Sequence, residues 1–393
     1  MKGDVKVWII VDNLRIGGIE RLALDQMYFM SDSKIRSKLF VLDKQSTLKA
    51  GNFLNVESDL IENKRLNFEY CPTNFLHIII FFIRQLLTHN PTLILDYTLK
   101  ATPVLRLLKI VLLSPVQIHC VIQQLASLSA PIQRYKRMLY AQFSTGLFIN
   151  SIYYSRDWDN YRSKNLVSRL FFSKPHSIIR NGIYLDRLDS RFLDRPVTYQ
   201  SSTTETPRFI FLGRLKTWKG LDKLYLLDRV SNQNCRFLIF SPDNDELVVN
   251  KFRQSFGERI EFVIGKSPQY LTPEPNDVHV YGVDYGQGFK FPESVSTNCL
   301  EMAYLNIPSM VTAGGAANWP ELKDGNLIYE VNWENEKSVI EVISKIFLSG
   351  SNRSVPIEFR EAVSVERNIN EHLALLNKKY QRCGFGSRLS LTF

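Results

Sequence analysis

The chain has 393 residues, enough for two domains of ordinary size. With 45% hydrophobic and 22% charged residues it can bury sizeable cores, which excludes a disordered tail, a collagen-like fibre and a polytopic membrane protein. Its 49 basic and 39 acidic side chains leave a net charge of +10, and the excess is uneven. Residues 1–200 carry 27 basic and 16 acidic side chains, a net of +11, while residues 201–393 carry 22 and 23, a net of −1. Between Asp96 and Asp157 there is no acidic residue, yet Lys100, Arg106, Lys109, Arg134, Lys136, Arg137 and Arg156 all fall there. Such asymmetry points to an anionic partner for the first half: a membrane surface, a phosphorylated substrate or nucleic acid.

In chain order, the opening MKGDVKVWIIVD pairs lysines with an apolar run, but two aspartates intrude and no small-residue cleavage site follows. It reads as a first strand rather than a signal peptide. Short apolar runs at 5–11, 38–42, 93–95, 116–122 and 147–149 suit buried strands, and helical spacing lies between them at 19–30, 104–113 and 132–143. The uncharged stretch 110–133 is long enough to span a bilayer, but Pro115, Gln117, His119, Gln123 and Gln124 interrupt it, so no transmembrane helix is expected. Residues 196–207 are polar, proline-bracketed and aperiodic, as a linker is. Beyond them the alternation resumes, with strands at 209–212, 237–240, 262–264, 278–281, 309–312 and 327–331 and helices at 298–305 and 339–347.

This pattern predicts an α/β chain with two parallel sheets covered by helices. The expected division is 1–195, 196–375 and a short tail, 376–393. Five scattered cysteines without a C-x-x-C pair argue against a disulfide framework and a zinc site, and favour a reducing compartment. In open parallel sheets, ligands gather beyond the carboxyl ends of the strands, where helix N-termini favour anions.

Three segments fall in such loops. Gly17 and Gly18 follow the first strand and let the backbone turn and approach a ligand before a helix begins; a tight turn with no ligand explains them equally well. In FLGRLKTWKGLD (211–222), Arg214 and Lys219 follow the second domain's first strand, a guanidinium fork and a point charge suited to a diphosphate. The alternative is two solvated cations on a loop. Glu293 and Glu301 are separated by seven residues, the first in a loop and the second opening a helix. One carboxylate can bind a sugar hydroxyl and the other a ribose diol, although Glu301 is also placed to complete a capping box with Asn298. Glu358 and Glu366 repeat the spacing in an expected C-terminal helix, where they read as a solvated face. Asp243 and Asp245 follow a strand and read as caps of the next helix rather than as a metal site.

Taken with SIIRNGIYLDR (177–187) and AYLNIPSMVTAGGAANWPELKDGNLIY (303–329), these motifs resemble the family-4 glycosyltransferases of the GT-B fold, in the same order and across nearly the whole chain. The resemblance implies two Rossmann-like domains facing across a cleft: an acceptor-binding first domain and a second that holds a nucleoside-diphosphate sugar. It implies an enzyme that transfers the sugar with retention of anomeric configuration. Residue by residue, Arg214 and Lys219 would hold the diphosphate, Glu301 the ribose, and Glu293 the transferred sugar, while Gly17 and Gly18 would line the donor. After Glu293, where members commonly carry glycines, this chain has Ser294, Val295, Ser296 and Thr297. Many members place a histidine at the end of the strand at 116–122; here His119 lies within it and reads as a packed side chain.

The expected acceptor is a glycan or lipid-linked molecule of a cell-surface polysaccharide pathway, with no metal or other cofactor. The expected location is cytoplasmic, peripheral to the membrane. Arg134, Lys136 and Arg137, interleaved with Tyr135, Tyr140 and Phe143, are expected to meet the acceptor or an anionic lipid surface together with the apolar 104–113 helix. No stacking platform or helix-turn-helix pattern supports nucleic acid. Two other readings share the motifs: a GT-B-fold sugar-nucleotide isomerase, and a non-catalytic nucleotide-sugar-binding or membrane-docking partner of a transferase.

Overall fold

The computed structural model of the chain describes residues 5–14, 18–43, 66–122, 139–150, 155, 158–160, 163, 166, 169, 175–186, 206–242, 244–265, 271–283, 296–349, 355 and 357–382. They divide into two compact units, one formed by the chain up to Tyr184 together with Val365 onward, the other by Leu185 to Ser364.

The first unit is built on a parallel sheet of seven strands: β1 (Lys6–Val11), β2 (Arg36–Val41), β3 (Phe68–Tyr70), β4 (Leu93–Asp96), β5 (Gln117–Ile122), β6 (Gly146–Ile149) and β7 (His176–Ile178). Their order is β3-β2-β1-β4-β5-β6-β7. Both faces are covered, so the central strands are apolar throughout rather than alternating with polar residues. In β1, Val7, Ile9 and Val11 enter one core, whereas Trp8 and Ile10 enter the other. The first core is closed by α1 (Gly18–Asp32) and α10 (Val365–Arg382). The second is closed by α2 (Phe75–His89) and α3 (Thr102–Val111). There Phe40 is fully buried and meets Trp8, Phe81 and Phe82 edge-on; burial of such a ring stabilises the fold by about 1.5–3 kcal/mol. Asn74 caps α2 through the Leu76 N–H, and Asn90 ends it in the left-handed conformation, a conformation asparagine tolerates.

The second unit repeats the plan. Strands β8 (Arg208–Leu212), β9 (Arg236–Ser241), β10 (Ile260–Ile264), β11 (Asp277–Tyr281), β12 (Ser309–Thr312) and β13 (Ile328–Val331) form a parallel sheet ordered β10-β9-β8-β11-β12-β13. One face is covered by α4 (Lys223–Val230), α5 (Glu246–Phe256) and α8 (Glu336–Leu348). The other packs on α6 (Thr297–Tyr304), whose Met302 joins Ile210, Leu212, Leu238 and Phe240. Helices α7 (Pro320–Asp324) and α9 (Ile357–Val363) complete this unit.

The division differs from the one expected at residues 195 and 375. The second unit begins at Leu185, and residues 365–375 belong to the first, because α10 lays Val365 and Ile369 into the core beside α1. The expected pairing of Glu358 with Glu366 on one helix also fails. Glu358 is in α9 and Glu366, which is exposed, is in α10, with a break at Ser364. Asp245 does cap α5, accepting from the Val248 N–H, whereas Asp243 lies outside the described residues. So do residues 132–138 of the expected helix at 132–143; residues 139–142 are helical. Among the described residues, no helix is long and apolar enough to cross a membrane.

Candidate functional site

In each sheet the strand order reverses direction at one point, between β1 and β4 and between β8 and β11. Crevices outside the carboxyl ends of the strands at such points are where open α/β sheets hold ligands. In the second unit, the carboxyl end of β8 leads into Gly213 and the basic segment, and β11 ends at Tyr281 and Gly282.

Two glycines shape this crevice. The 3-10 turn Thr217–Lys219 ends at Gly220, which is left-handed at φ 87°. A Cβ on Gly220 would lie 2.6 Å from the Gly282 carbonyl carbon and oxygen, and one on Gly282 would lie 2.7 Å from Lys223 Cγ. Backbone therefore rests on backbone, and the loop that carries Arg214 and Lys219 is pressed against the end of β11. Gly213 continues the sheet by donating its N–H to the Phe240 carbonyl at 3.0 Å. Arg214 is half-buried, and Lys219 Nζ sits 4.3 Å from the centroid of the partly exposed Trp218 ring. That cation–π contact holds the ammonium group beside the turn.

Helix α6 supplies the acidic component. Glu301 lies one turn into α6 and is buried. The capping-box expectation is not met: the N-cap is Ser296, which makes no side-chain cap, and the Asn298 side chain instead donates to the Leu212 carbonyl at 3.2 Å. This bond ties the first turn of α6 to the end of β8, so the helix N-terminus and the Arg214 loop share one end of the sheet. The N-terminal amides and the helix dipole favour an anion there.

A further tie beside the crevice has no signal in the sequence. Glu330, on β13, accepts hydrogen bonds from the Gly314 and Ala316 N–H groups at 3.1 and 3.2 Å and from Lys323 at 3.2 Å. Gly314 is left-handed at φ 87°, and Thr312 donates to the Val283 carbonyl at 3.2 Å. The turn after β12 is thereby fixed beside the end of β11. No local signal marks Glu330, because its backbone partners lie 14 and 16 residues away. His279, buried between β11 and β12, contacts Ser309 Oγ at 2.9 Å. Burial lowers its pKa to about 3, so it is a neutral packing group rather than a proton donor.

In the first unit, Gly18 opens α1, and a Cβ there would meet nothing within 4 Å among the described residues. At the neighbouring strand ends, Lys100 pairs with Asp12 at 2.7 Å. The segment 177–186 does structural work: Asn368 of α10 donates to the Arg180 carbonyl at 2.8 Å and accepts from Gln26 at 2.7 Å, while the Tyr184 N–H donates to Asp25 at 3.2 Å. His119 is buried and packed, 4.6 Å from Phe148 and 5.4 Å from His372 between ring centroids. Of the expected site residues, Arg214, Lys219 and Glu301 thus fall in the second unit and Gly18 at the strand ends of the first. Gly17, Glu293, Arg134, Lys136 and Arg137 lie outside the described residues.

No protein-family model matches the chain, and no curated protein matches it. Solved structures do. A glycosyltransferase from Rickettsia africae ESF-5 superposes with a TM-score of 0.68 at 10% identity, over 96% of this chain and 98% of that one. Anabaena HepE, crystallised with UDP and glucose, gives 0.66 at 14% identity over 95% and 99%. Sucrose-phosphate synthase from Thermosynechococcus elongatus gives 0.65 at 12% identity over 96% and 100%. Two parallel sheets in the order of the doubly wound fold, matched along nearly the whole length of these enzymes, show that the chain has the GT-B fold of glycosyltransferases.

Proposed function

We propose that the protein is a retaining glycosyltransferase that moves a sugar from a nucleoside diphosphate to a glycan or lipid-linked acceptor in cell-surface polysaccharide synthesis, at the cytoplasmic face of the membrane. The observation that supports this reading is that the loop bearing Arg214 and Lys219 and the N-terminus of α6, one turn ahead of buried Glu301, lie at the same end of the second sheet, at its reversal point. HepE, of the same fold, was crystallised with UDP and glucose and with UDP-glucose.

In the proposed reaction the bond between the anomeric carbon and the diphosphate oxygen breaks. A bond to the acceptor oxygen forms on the same face of the sugar, and the acceptor hydroxyl proton is released. The main electrostatic demand is the charge that develops on the departing diphosphate. Arg214, Lys219 and the α6 amides are preorganised to meet it without reorganising at the moment of reaction. Glu301 accepts from the ribose hydroxyls, and Glu293 contacts the transferred sugar. No metal takes part in this scheme.

The test is product analysis. Purified protein is incubated with UDP-sugars and an extract of lipid-linked glycans, and the anomeric configuration of the product is read from its proton coupling. Transfer with the donor's configuration preserved is the expected result. Interconversion of the nucleotide sugar without an acceptor would make the protein an isomerase, and donor binding without turnover would make it a partner of a transferase. Either overturns the proposal.

A further inference from the structure

Helices α2 and α3 lie side by side on one face of the first sheet. Each is apolar on two sides. Inward, Phe82, Leu86, Leu105 and Leu108 are buried in the core. Outward, α2 presents Phe75, Leu76, Ile80 and Leu87, each more than half exposed. Leu76, Ile80 and Leu87 recur at helical spacing and form one stripe. In α3 and the turn that ends it, Leu107, Ile110, Val111 and Leu113 are likewise more than half exposed. Single exposed hydrophobic residues are ordinary; two adjoining helices that carry seven of them, with an eighth in the turn that follows, are not.

The exposed charge within the segment that forms this face has one sign. Between Glu69 and Asp157 the only acidic residue is Asp96. Asp96 is fully buried and occupied by the Thr98 and Leu99 N–H groups and the Thr98 and Thr102 hydroxyls. Glu69, which accepts from Gln85 of α2, is neutralised by Lys38 at 2.6 Å. The cations Arg84 and Arg106 flank the two stripes, Arg84 exposed and Arg106 half-exposed. An apolar surface edged by cations, without an exposed carboxylate of its own segment, matches the boundary between acyl chains and anionic headgroups.

We propose that the outer face of α2 and α3 is a membrane-docking surface for anionic lipid, with the leucine and isoleucine stripes at the headgroup–acyl boundary and Arg84 and Arg106 beside lipid phosphates. Neither helix spans the bilayer: they have 15 and 10 residues, and a span needs about 20. This surface takes in the apolar 104–113 helix expected to meet lipid, adds α2 to it and leaves out Arg134–Arg137; it rests on the membrane-face reading proposed above but not on what reaction the second unit supports.

The test is co-sedimentation of the full chain with vesicles of phosphatidylglycerol and phosphatidylcholine, and with phosphatidylcholine alone. The protein is expected to bind the anionic vesicles, and salt is expected to weaken binding. The variant Ile80→Ser/Leu107→Ser/Ile110→Ser is expected to lose at least roughly tenfold in vesicle affinity. Arg84→Glu/Arg106→Glu, which leaves the apolar surface intact, is expected to lose affinity for anionic vesicles and tests the proposal even if the triple variant does not fold. Leu247→Ser/Leu348→Ser, which removes equally exposed leucines of the second unit, is expected to bind as the parent does. Three results overturn the proposal: no binding to anionic vesicles, equal binding to neutral ones, or unchanged binding by the serine variant. Self-association of the parent that the serine variant abolishes, with no vesicle binding, would make the face a contact between copies. UDP titration of the same proteins reads the transferase proposal separately, because neither outcome with vesicles moves it.

Discussion

Gly220 is the residue on which the second unit's crevice depends most sharply. Its left-handed conformation and the Gly282 backbone 2.6 Å from any added Cβ leave no room for a side chain. Gly220→Ala is therefore expected to destabilise the fold by about 2–3 kcal/mol in urea denaturation. A change below about 0.5 kcal/mol would show that the loop does not rest on β11 as described. The buried histidines His279 and His372 weaken the fold in acid. His279 in one unit and His372 in the other have pKa values lowered by burial from an ordinary 6.5 to about 3. Above pH 6.5 both the folded and unfolded states hold them neutral. As pH falls below 6.5, only the unfolded chain takes up the proton, so stability is lost progressively down to about pH 3 at roughly 1.4 kcal/mol per pH unit for each histidine. Urea midpoints should fall steeply between about pH 6.5 and 5, and flat midpoints across that window would show that these side chains reach solvent.

At the level of elements, two ties made by single side chains hold pieces distant in sequence. Glu330→Ala leaves the Gly314 and Ala316 amides without their acceptor, and the expected cost is about 1–3 kcal/mol. If Glu330 positions the β12 turn for a ligand, nucleotide affinity falls as well, while an affinity unchanged by calorimetry makes the tie purely structural. Asn368→Ala removes the acceptor of Gln26 and the donor to Arg180 at once, with an expected loss of about 1–3 kcal/mol in thermal or urea unfolding. Strands such as β1, β4, β8 and β11 were legible in the sequence, because burial on both faces leaves a short continuous apolar run that a helix of normal length does not resemble. Helix α2 was not, since apolar residues on its outer as well as its inner face erase the polar stripe. The attachment of α10 to the first unit was equally illegible. Its apolar positions mark a buried face without saying which core receives it.

For the whole molecule, alternation of strand and helix led to two doubly wound sheets, because right-handed crossovers leave few other ways to bury such strands. The same topology explains why Arg214 and Glu301, 87 positions apart in sequence numbering, belong to one end of one sheet. Spacing alone did not place Glu301 one turn inside its helix, because the N-cap depends on where the preceding loop delivers Ser296. A donor site at the β8–β11 crevice is tested by calorimetric titration of UDP into the parent protein and into Arg214→Ala and Glu301→Ala. The parent is expected to bind, and each variant to lose at least roughly tenfold, equivalent to about 1.4 kcal/mol, while remaining folded. Parent binding that neither substitution weakens, or no binding of UDP or of any other nucleoside diphosphate, would contradict a donor site at the β8–β11 crevice.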